Sequence, residues 1–264
     1  MNNWLLSTNL YPELNEKQAQ AVVSFVRAAF PNHSIVFRSL NATTNAALMK
    51  ELGQSGCRMV PSRQVYLLSP HLVHASNSKV RWLIKRDFGL IAKHGYEVLS
   101  PEQLTEADMP RLVELYNQLY LDKYSRYNPQ FSENFFKLAW SKKLLNLYAL
   151  HNREEGRIDA VLGFFSRNGI MTTPVFGYDT SLPKALGLYR MLSAVLIGLA
   201  RDHGYLLHES SGAAQFKRNR GANSDIEYSA VFDKHLPLYR RIGWTFLGAV
   251  LRGIGVPLMR KYKF

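Results

Sequence analysis

The segment LLHESSG, residues 206–212, turns abruptly from apolar to polar, as ligand sites at the ends of buried strands do. His208 is its only side chain that titrates near neutral pH, and Glu209 could act as a base if it is partly buried. Because side chains alternate along a strand, at most one of the two faces a substrate. Ser210 and Ser211 lack the G-x-S-x-G frame of a serine hydrolase. We therefore predict a general base, Glu209 first and His208 second, with a structural hydrogen-bonding role as the alternative.

Cations follow this polar segment closely. Lys217, Arg218 and Arg220 come directly after a glycine-containing turn and would suit a phosphate, either of a pantetheine carrier or of a transfer RNA. Tyr228 falls in the next strand-like segment, where a phenol could protonate a leaving group. The alternative for Tyr228 is an ordinary strand aromatic.

A second candidate site lies where a strand gives way to a helix, at SLPKALGLY, residues 181–189. A helix N-terminus presents unpaired N–H groups and partial positive charge to an anion, and Lys184 and Gly187 fit a phosphate there. Just before it, Asp179 could orient a base or bind an amine acceptor beside Tyr178. The alternatives are an ordinary helix entrance and an Asp179 that caps the turn.

Metal chemistry and disulfides are not expected. Cys57 is the single cysteine, which fits a reducing cytoplasm. Histidines without metal-ligand spacing to Asp or Glu are His33, His71, His74 and His94. The N-terminus lacks the pattern of a secretory signal, and arginines interrupt the longest apolar runs, so we expect no membrane span.

The charge balance points to an anionic partner. The 264 residues carry a net charge of +13, and ten basic residues against three acidic ones lie between Gln215 and Phe264. Such a surface serves the phosphates of a cofactor, a nucleic acid or anionic lipid, and a solvated basic face is the alternative. The apolar and basic segment 236–264 would suit a bilayer surface or an acyl-carrier partner if exposed. We expect it instead to be buried, as a closing layer of the core.

Hydrophobic periodicity predicts a mixture of helices and strands. The first part of the chain reads as helix, strand, helix, strand and helix, at 14–30, 34–38, 43–52, 58–68 and 78–93. A capping box at Ser100 and Gln103 then predicts the start of a helix. The next expected elements are a helix at 132–143, an antiparallel meander at 144–150, 158–165 and 170–178, a helix at 183–203 and a strand at 205–210. A helix or turn at AAQFKRNRG and strands at IEYSAVF and WTFLGAV complete the chain, although WTFLGAV could also be helical. This order is that of an α+β fold with a mainly antiparallel sheet.

The element order and the strand-to-helix transition resemble the GNAT acyltransferase superfamily. In that family the third meander strand leads into a loop Arg/Gln-x-x-Gly-x-Gly/Ala, whose backbone N–H groups hold the pyrophosphate of coenzyme A. The matching residues are Lys184, Gly187 and Tyr189, with lysine in place of the arginine or glutamine and tyrosine in place of the small residue. The resemblance implies that the first helical turn, including Leu188 and Arg190, contacts the cofactor.

A closer resemblance is to the divergent branch that includes the peptidoglycan-bridge aminoacyltransferases, whose chains pair two GNAT-like modules. It covers the whole chain weakly and residues 144–232 better. It implies an N-terminal degenerate α/β module, 1–99, and a C-terminal acyltransferase module, 100–264, with a mixed sheet flanked by helices. It also implies that the sheet splays open near Glu209, where an acceptor attacks the donor carbonyl without a covalent enzyme intermediate.

We therefore predict an enzyme that moves an acyl group from a thioester, on acyl-CoA or an acyl-carrier protein, to a small-molecule amine or hydroxyl acceptor. CoA or a pantetheine arm would be the co-substrate, and Tyr178, Asp179, Ser210 and Ser211 would contact substrate. One alternative is an aminoacyl-tRNA donor, which explains the +13 charge more fully. The other is a non-catalytic basic module for nucleic acid or membrane, although no RNP1-type motif is present. The expected location is the cytoplasm, with peripheral contact to the inner membrane surface through the basic C-terminus as a further option.

Overall fold

The computed structural model describes residues 7–69 and 78–262, and His71 and His74 fall outside these ranges. The chain divides into two compact units. The first comprises Met1–Leu67, Glu209–Arg218 and Ala222–Phe264, and the second comprises Leu68–His208 and Asn219–Gly221. Each unit takes residues from both predicted ranges, 1–99 and 100–264, so this division of the chain differs from the predicted domains.

The first unit combines an antiparallel sheet with helices. Its strands are β1 (Ile35–Asn41), β2 (Arg58–Leu68) and β8 (Asn223–Phe232), and β8 lies between the other two. Its helices are α1 (Glu16–Ala29), α2 (Ala42–Gln54), α7 (Ala214–Arg218), α8 (Leu238–Val250) and α9 (Val256–Tyr262). A capping box between Asn15 and Gln18 opens α1. The apolar residues of α1, α2 and β1 form the core of this unit, with Leu40 and Leu52 fully buried.

The second unit contains the predicted meander. Its strands are β3 (Tyr96–Leu99), β4 (Asn146–Asn152), β5 (Arg157–Arg167), β6 (Ile170–Tyr178) and β7 (Leu206–His208), in the order β7-β6-β5-β4-β3. Only the pairing of β6 with β7 is parallel within this order. Its helices are α3 (Ser78–Lys93), α4 (Met109–Asn117), α5 (Glu133–Ser141) and α6 (Leu188–Asp202).

The turn between β5 and β6 shows why the meander could be predicted. Asn168 and Gly169 both have positive φ, at 52° and 73°, and join two paired strands through a two-residue connection. Asn-Gly is the sequence that such a hairpin turn favours, because asparagine and glycine tolerate the left-handed conformation. The predicted antiparallel meander is confirmed, as are the bounds of β2, β6 and α3.

The helix predicted to start at Ser100 begins later. Gln103 accepts a hydrogen bond from the Ser100 backbone N–H at 2.9 Å, yet the segment is a turn. A second capping box, between Thr105 and Asp108, precedes α4, which starts at Met109. The Ser100 pair therefore closes a turn with the same chemistry that opens a helix. The short strand β3 was not predicted.

The C-terminal segment corrects two expectations. WTFLGAV belongs to helix α8, which runs through a π-helical turn, Leu251–Gly255, into α9. This helical stretch, Leu238–Tyr262, is largely exposed rather than a buried closing layer. By length and composition alone, its 25 residues suffice to cross a bilayer, which by itself does not show a membrane span.

Candidate functional site

A tight left-handed turn follows Glu209 in the first unit. Ser210, Gly212 and Ala213 have positive φ angles of 59°, 78° and 48°. The turn is fixed to β2 on one side, because the Glu209 N–H donates to the Tyr66 carbonyl at 2.9 Å and the Tyr66 N–H donates to the Ser210 carbonyl at 3.0 Å. Non-glycine residues in this conformation cost energy and concentrate at functional sites. The predicted base is thus part of a constrained loop.

The ammonium of Lys217 closes this turn from within. It donates to the backbone carbonyl of Glu209 at 2.6 Å and to that of Ser211 at 2.9 Å. The residue is only 7% exposed. Burial lowers the pKa of Lys217 to about 8, the nearby Glu209 carboxylate opposes this shift, and Arg63 adds to it. A lysine in this state exchanges its proton close to neutral pH, which a surface lysine does not.

Tyr66 supplies the floor of the cluster. It is fully buried, and its ring lies 5.6 Å from the Lys217 ammonium and 5.9 Å from the Arg218 guanidinium. Arg218 also donates to the Tyr66 hydroxyl at 3.1 Å, and that hydroxyl donates to Gln64 at 3.2 Å. Two cations therefore share one aromatic ring, which favours them electrostatically. We call Tyr66, Glu209, Lys217 and Arg218 the lysine cluster.

An ion pair joins Arg63 of β2 to Glu227 of the neighbouring strand β8. Glu227 is buried and accepts from Arg63 at 2.8 Å and 3.2 Å. Since side chains alternate along a strand, Tyr228 points to the opposite face of β8 from Glu227. Tyr228 is half-buried there and pairs with Pro61 of β2.

In the second unit, His208 ends strand β7. The residue is buried, and its carbonyl accepts a hydrogen bond from the Thr172 hydroxyl at 3.4 Å. His208 is therefore buried at the end of its strand, whereas Glu209 is partly exposed at the start of the turn. This difference in exposure favours Glu209 over His208 as the group that meets a substrate.

The predicted anion site at the start of α6 is closely packed. Gly187 has φ of +77°, and a Cβ added there would lie 3.0 Å from Leu90. Leu188 is buried, and the ring of Tyr189 packs 5.5 Å from that of Phe176. Lys184 lies exposed on a 3-10 turn just before the helix.

Arg190 and Arg220, which were predicted to contact phosphate, both pair with a buried carboxylate. Asp87 of α3 is fully buried and accepts from the Arg190 Nε at 2.8 Å and from the Arg220 Nε at 2.9 Å. Arg220 is itself buried. The Asp87 carboxylate therefore neutralises positive charge that would otherwise be available to a phosphate. Nothing in the sequence indicated this pairing, because Asp87 lies 103 and 133 residues away from these arginines.

Asp179 forms a smaller polar cluster at the end of β6. Although burial opposes it, hydrogen bonds from Ser181 and Arg111 hold the pKa of Asp179 below its ordinary value. The Arg111 guanidinium donates at 2.7 Å, and the Ser181 N–H donates at 3.0 Å. Asp179 thus caps its turn, which was the structural alternative, while Tyr178 beside it accepts from Lys123 at 3.2 Å.

The lysine cluster combines groups that acyl transfer requires. Direct attack on an ester needs a base for the acceptor proton and a cation or hydrogen-bond donor where negative charge develops. Glu209 offers a carboxylate and Lys217 an ammonium, and the Lys217 Nζ binds the Glu209 backbone directly. Sequence reasoning placed Lys217 among phosphate contacts and missed Tyr66. The sequence did carry one sign of each residue: Tyr66 is an aromatic residue on a predicted strand, and Lys217 follows directly after a polar turn. Among the described residues, no group of His, Cys, Asp and Glu is arranged to hold a metal ion.

Comparison with known proteins shows the fold. No protein-family model and no curated protein matches this chain. L-PGS from Bacillus licheniformis is similar in structure, with a TM-score of 0.64 at 16% identity, over 89% of this chain and 79% of that one. The C-terminal domain of a protein assigned as a lysylphosphatidylglycerol synthetase, from Agrobacterium fabrum, gives 0.64 at 14% identity, over 90% and 79%. FemX gives 0.62 at 9% identity, over 86% and 79%. The predicted α+β fold, with a mainly antiparallel sheet and flanking helices, is confirmed, and these structures share it.

Proposed function

We propose that this protein is a transferase that moves an acyl group from an activated ester to an amine or hydroxyl acceptor by direct attack. One observation carries the proposal: the Lys217 ammonium is buried against the backbone of Glu209, with a pKa of about 8. The fold shared with proteins named for the synthesis of lysylphosphatidylglycerol supports it.

The two charged groups divide the reaction between them. The lone pair of the acceptor forms the new bond to the acyl carbon, and Glu209 takes the acceptor proton. The ammonium of Lys217 stabilises negative charge as the bond to the leaving oxygen or sulfur breaks, and it gives that atom a proton. Because burial lowers the pKa of Lys217 to about 8, its ammonium is a stronger acid than that of an ordinary lysine and gives up its proton more readily.

An aminoacyl-tRNA is the donor that the protein's features favour. Lysylphosphatidylglycerol, in the name of the Agrobacterium fabrum protein, contains an amino acid as its acyl group. A net charge of +13 suits a long polyanion better than a single cofactor. The packing around Gly187 and the pairing of Arg190 with Asp87 also leave fewer groups for a pyrophosphate at α6.

A thioester donor, acyl-CoA or acyl-carrier protein, is the second candidate. The observation in its favour is the left-handed Gly187 at the start of α6, preceded by the exposed Lys184. Lys184 and the backbone N–H groups of the first helical turn would hold the phosphates of such a donor. The donor would supply a thioester as the activated acyl group.

The salt dependence of donor binding distinguishes an aminoacyl-tRNA donor from a thioester donor. Affinities of the purified protein for aminoacylated tRNA and for an acyl-CoA are measured between 50 and 400 mM salt. For a tRNA donor, log affinity falls with log salt with a slope of about 0.7 to 0.9 per phosphate neutralised, so we expect a slope equivalent to about six or more phosphates. A shallow slope with tight acyl-CoA binding would favour the thioester. Binding of neither donor would contradict the proposal.

A further inference from the structure

The C-terminal helical stretch carries an exposed apolar stripe. Every fourth side chain from the start of α8 to the end of α9 is apolar or aromatic, and each is between 37% and 72% exposed. The stripe consists of Leu238, Ile242, Phe246, Val250, Ile254, Leu258 and Tyr262. A contiguous apolar surface of this length is unusual for a face that remains in water and marks an interaction site.

The side of α8 opposite the stripe packs on the rest of the first unit. This packing fixes the direction in which the stripe faces. Trp244 donates from its indole nitrogen to Ser34 at 3.2 Å, and a Cβ added at Gly248 would lie 3.6 Å from Val60. Farther along, Arg252 donates to the Met59 carbonyl at 3.1 Å. The helix is therefore held along one side, and its stripe points away from that side.

The π-helical turn between α8 and α9 helps to keep the stripe continuous. Residues four apart drift around a regular α-helix, because four residues exceed one turn of 3.6. A π-helical turn holds more residues per turn, so Leu251–Gly255 reduces that drift. Ile254, inside this turn, remains 59% exposed and links Val250 to Leu258.

Charge decides what kind of surface fits the stripe. The stretch from Leu238 to Tyr262 has five basic residues and no acidic one. These are Arg240, Arg241, Arg252, Arg260 and Lys261. Arg252 lies on the held side and Arg241 lies 3.9 Å from Asp233, so Arg240, Arg260 and Lys261 are the exposed cations left to accompany the stripe. An apolar face accompanied by cations matches an anionic lipid surface, where apolar side chains enter the acyl boundary and cations meet headgroups.

We propose that this stripe docks the protein on the surface of an anionic phospholipid bilayer, lying in the interface rather than crossing it. A crossing helix would have to leave the contacts of Trp244, Gly248 and Arg252 with the first unit, whereas an interfacial helix keeps them. A pair of such helices from two copies would bring two basic stretches together without any acid from either one. The inference does not depend on the proposed reaction.

Vesicle co-sedimentation tests whether the apolar side chains of the stripe bind the bilayer. The purified full chain is mixed with vesicles of phosphatidylglycerol and phosphatidylcholine in equal parts, or of phosphatidylcholine alone. We expect binding to the anionic vesicles, and a drop of about tenfold or more in affinity for the double variant Ile242→Gln, Phe246→Gln. The matched control is Phe25→Gln, because Phe25 is 73% exposed on α1, outside the stripe, and its loss should leave binding unchanged.

A second double variant tests whether the cations beside the stripe contribute to vesicle binding. Arg260→Gln, Lys261→Gln should weaken binding to anionic vesicles by about tenfold, and high salt should weaken binding of the unchanged protein similarly. Thermal unfolding verifies that each variant is folded, and Ile254→Gln, Leu258→Gln replaces the first apolar pair if that pair unfolds. Unchanged binding by folded apolar variants would overturn the proposal. So would a stable dimer that dissociates in these variants without any vesicle binding, and so would protein that resists alkaline extraction from the vesicles.

Discussion

The ammonium nitrogen of Lys217 lies 2.6 Å from the backbone carbonyl oxygen of Glu209, so the predicted base and the most perturbed lysine belong to one turn. The hydrogen bond holds the Lys217 charge in a place where water cannot easily solvate it. Its pKa of about 8 follows mainly from that burial.

The pH dependence of turnover should reveal Lys217. If its protonated form is required, kcat/KM falls as pH rises through about 8. In Lys217→Arg the guanidinium stays charged, so the residual activity should lose this alkaline limb. A pH profile of kcat/KM for both proteins checks this, and an unchanged limb in the arginine variant would assign it to another group.

The stability of the protein should also depend on Lys217. Because burial lowers its pKa from 10.5 to about 8, the unfolded chain holds this proton to higher pH than the folded protein does. The free energy of unfolding therefore increases from pH 8 to pH 10.5, by at most about 3 kcal/mol from this group. Urea unfolding of wild type and Lys217→Met across this range measures the difference, and parallel curves would contradict the assigned pKa.

Glu209→Gln keeps the shape of the side chain but removes its ability to take a proton. We expect turnover to fall by about 10²- to 10⁴-fold while the protein stays folded. Glu154→Gln, in the exposed turn between β4 and β5, is the matched control and should keep full activity. A near-wild-type rate for Glu209→Gln at saturating substrate would remove Glu209 from the mechanism.

Asp87 should be a major contributor to stability. Asp87→Asn leaves Arg220 buried without its carboxylate partner, so we expect a loss of about 3 to 5 kcal/mol in the free energy of unfolding. Asp202→Asn breaks an exposed pair with Arg201 and should cost no more than about 1 kcal/mol. Chemical denaturation of both variants gives the comparison, and equal losses would show that the buried pair has no special role.

The sequence predicted local elements better than distant partners. The start of β6 follows from the Asn168–Gly169 turn, which is a local signal. WTFLGAV is rich in aromatic and β-branched residues, so these seven residues alone favour a strand. The apolar residues that recur every four positions from Leu238 to Tyr262 indicate a helix, but only when the longer segment is considered.

In the candidate site, too, the sequence indicated residues with a local pattern and missed residues whose contacts are distant in sequence. Glu209 was found because polarity changes abruptly at the end of a strand. Tyr66 was not, because its contact with Arg218 spans 152 residues and leaves no mark on the spacing of either. The Asp87 contacts were missed for the same reason, since tertiary packing alone brings these groups together.

Gly177 of β6 should tolerate no side chain. A Cβ there would lie 2.6 Å from the backbone carbonyl of Leu115 in α4, and a backbone cannot rotate aside as a flexible side chain does. Gly177→Ala must therefore push the helix from the strand, at a cost of about 1 to 3 kcal/mol or more in the free energy of unfolding. Gly53→Ala in α2, where a Cβ meets nothing within 4 Å, is the control and should be neutral or slightly stabilising. Urea unfolding of both variants measures the contrast, and a neutral Gly177→Ala would mean that α4 and β6 lie farther apart than described.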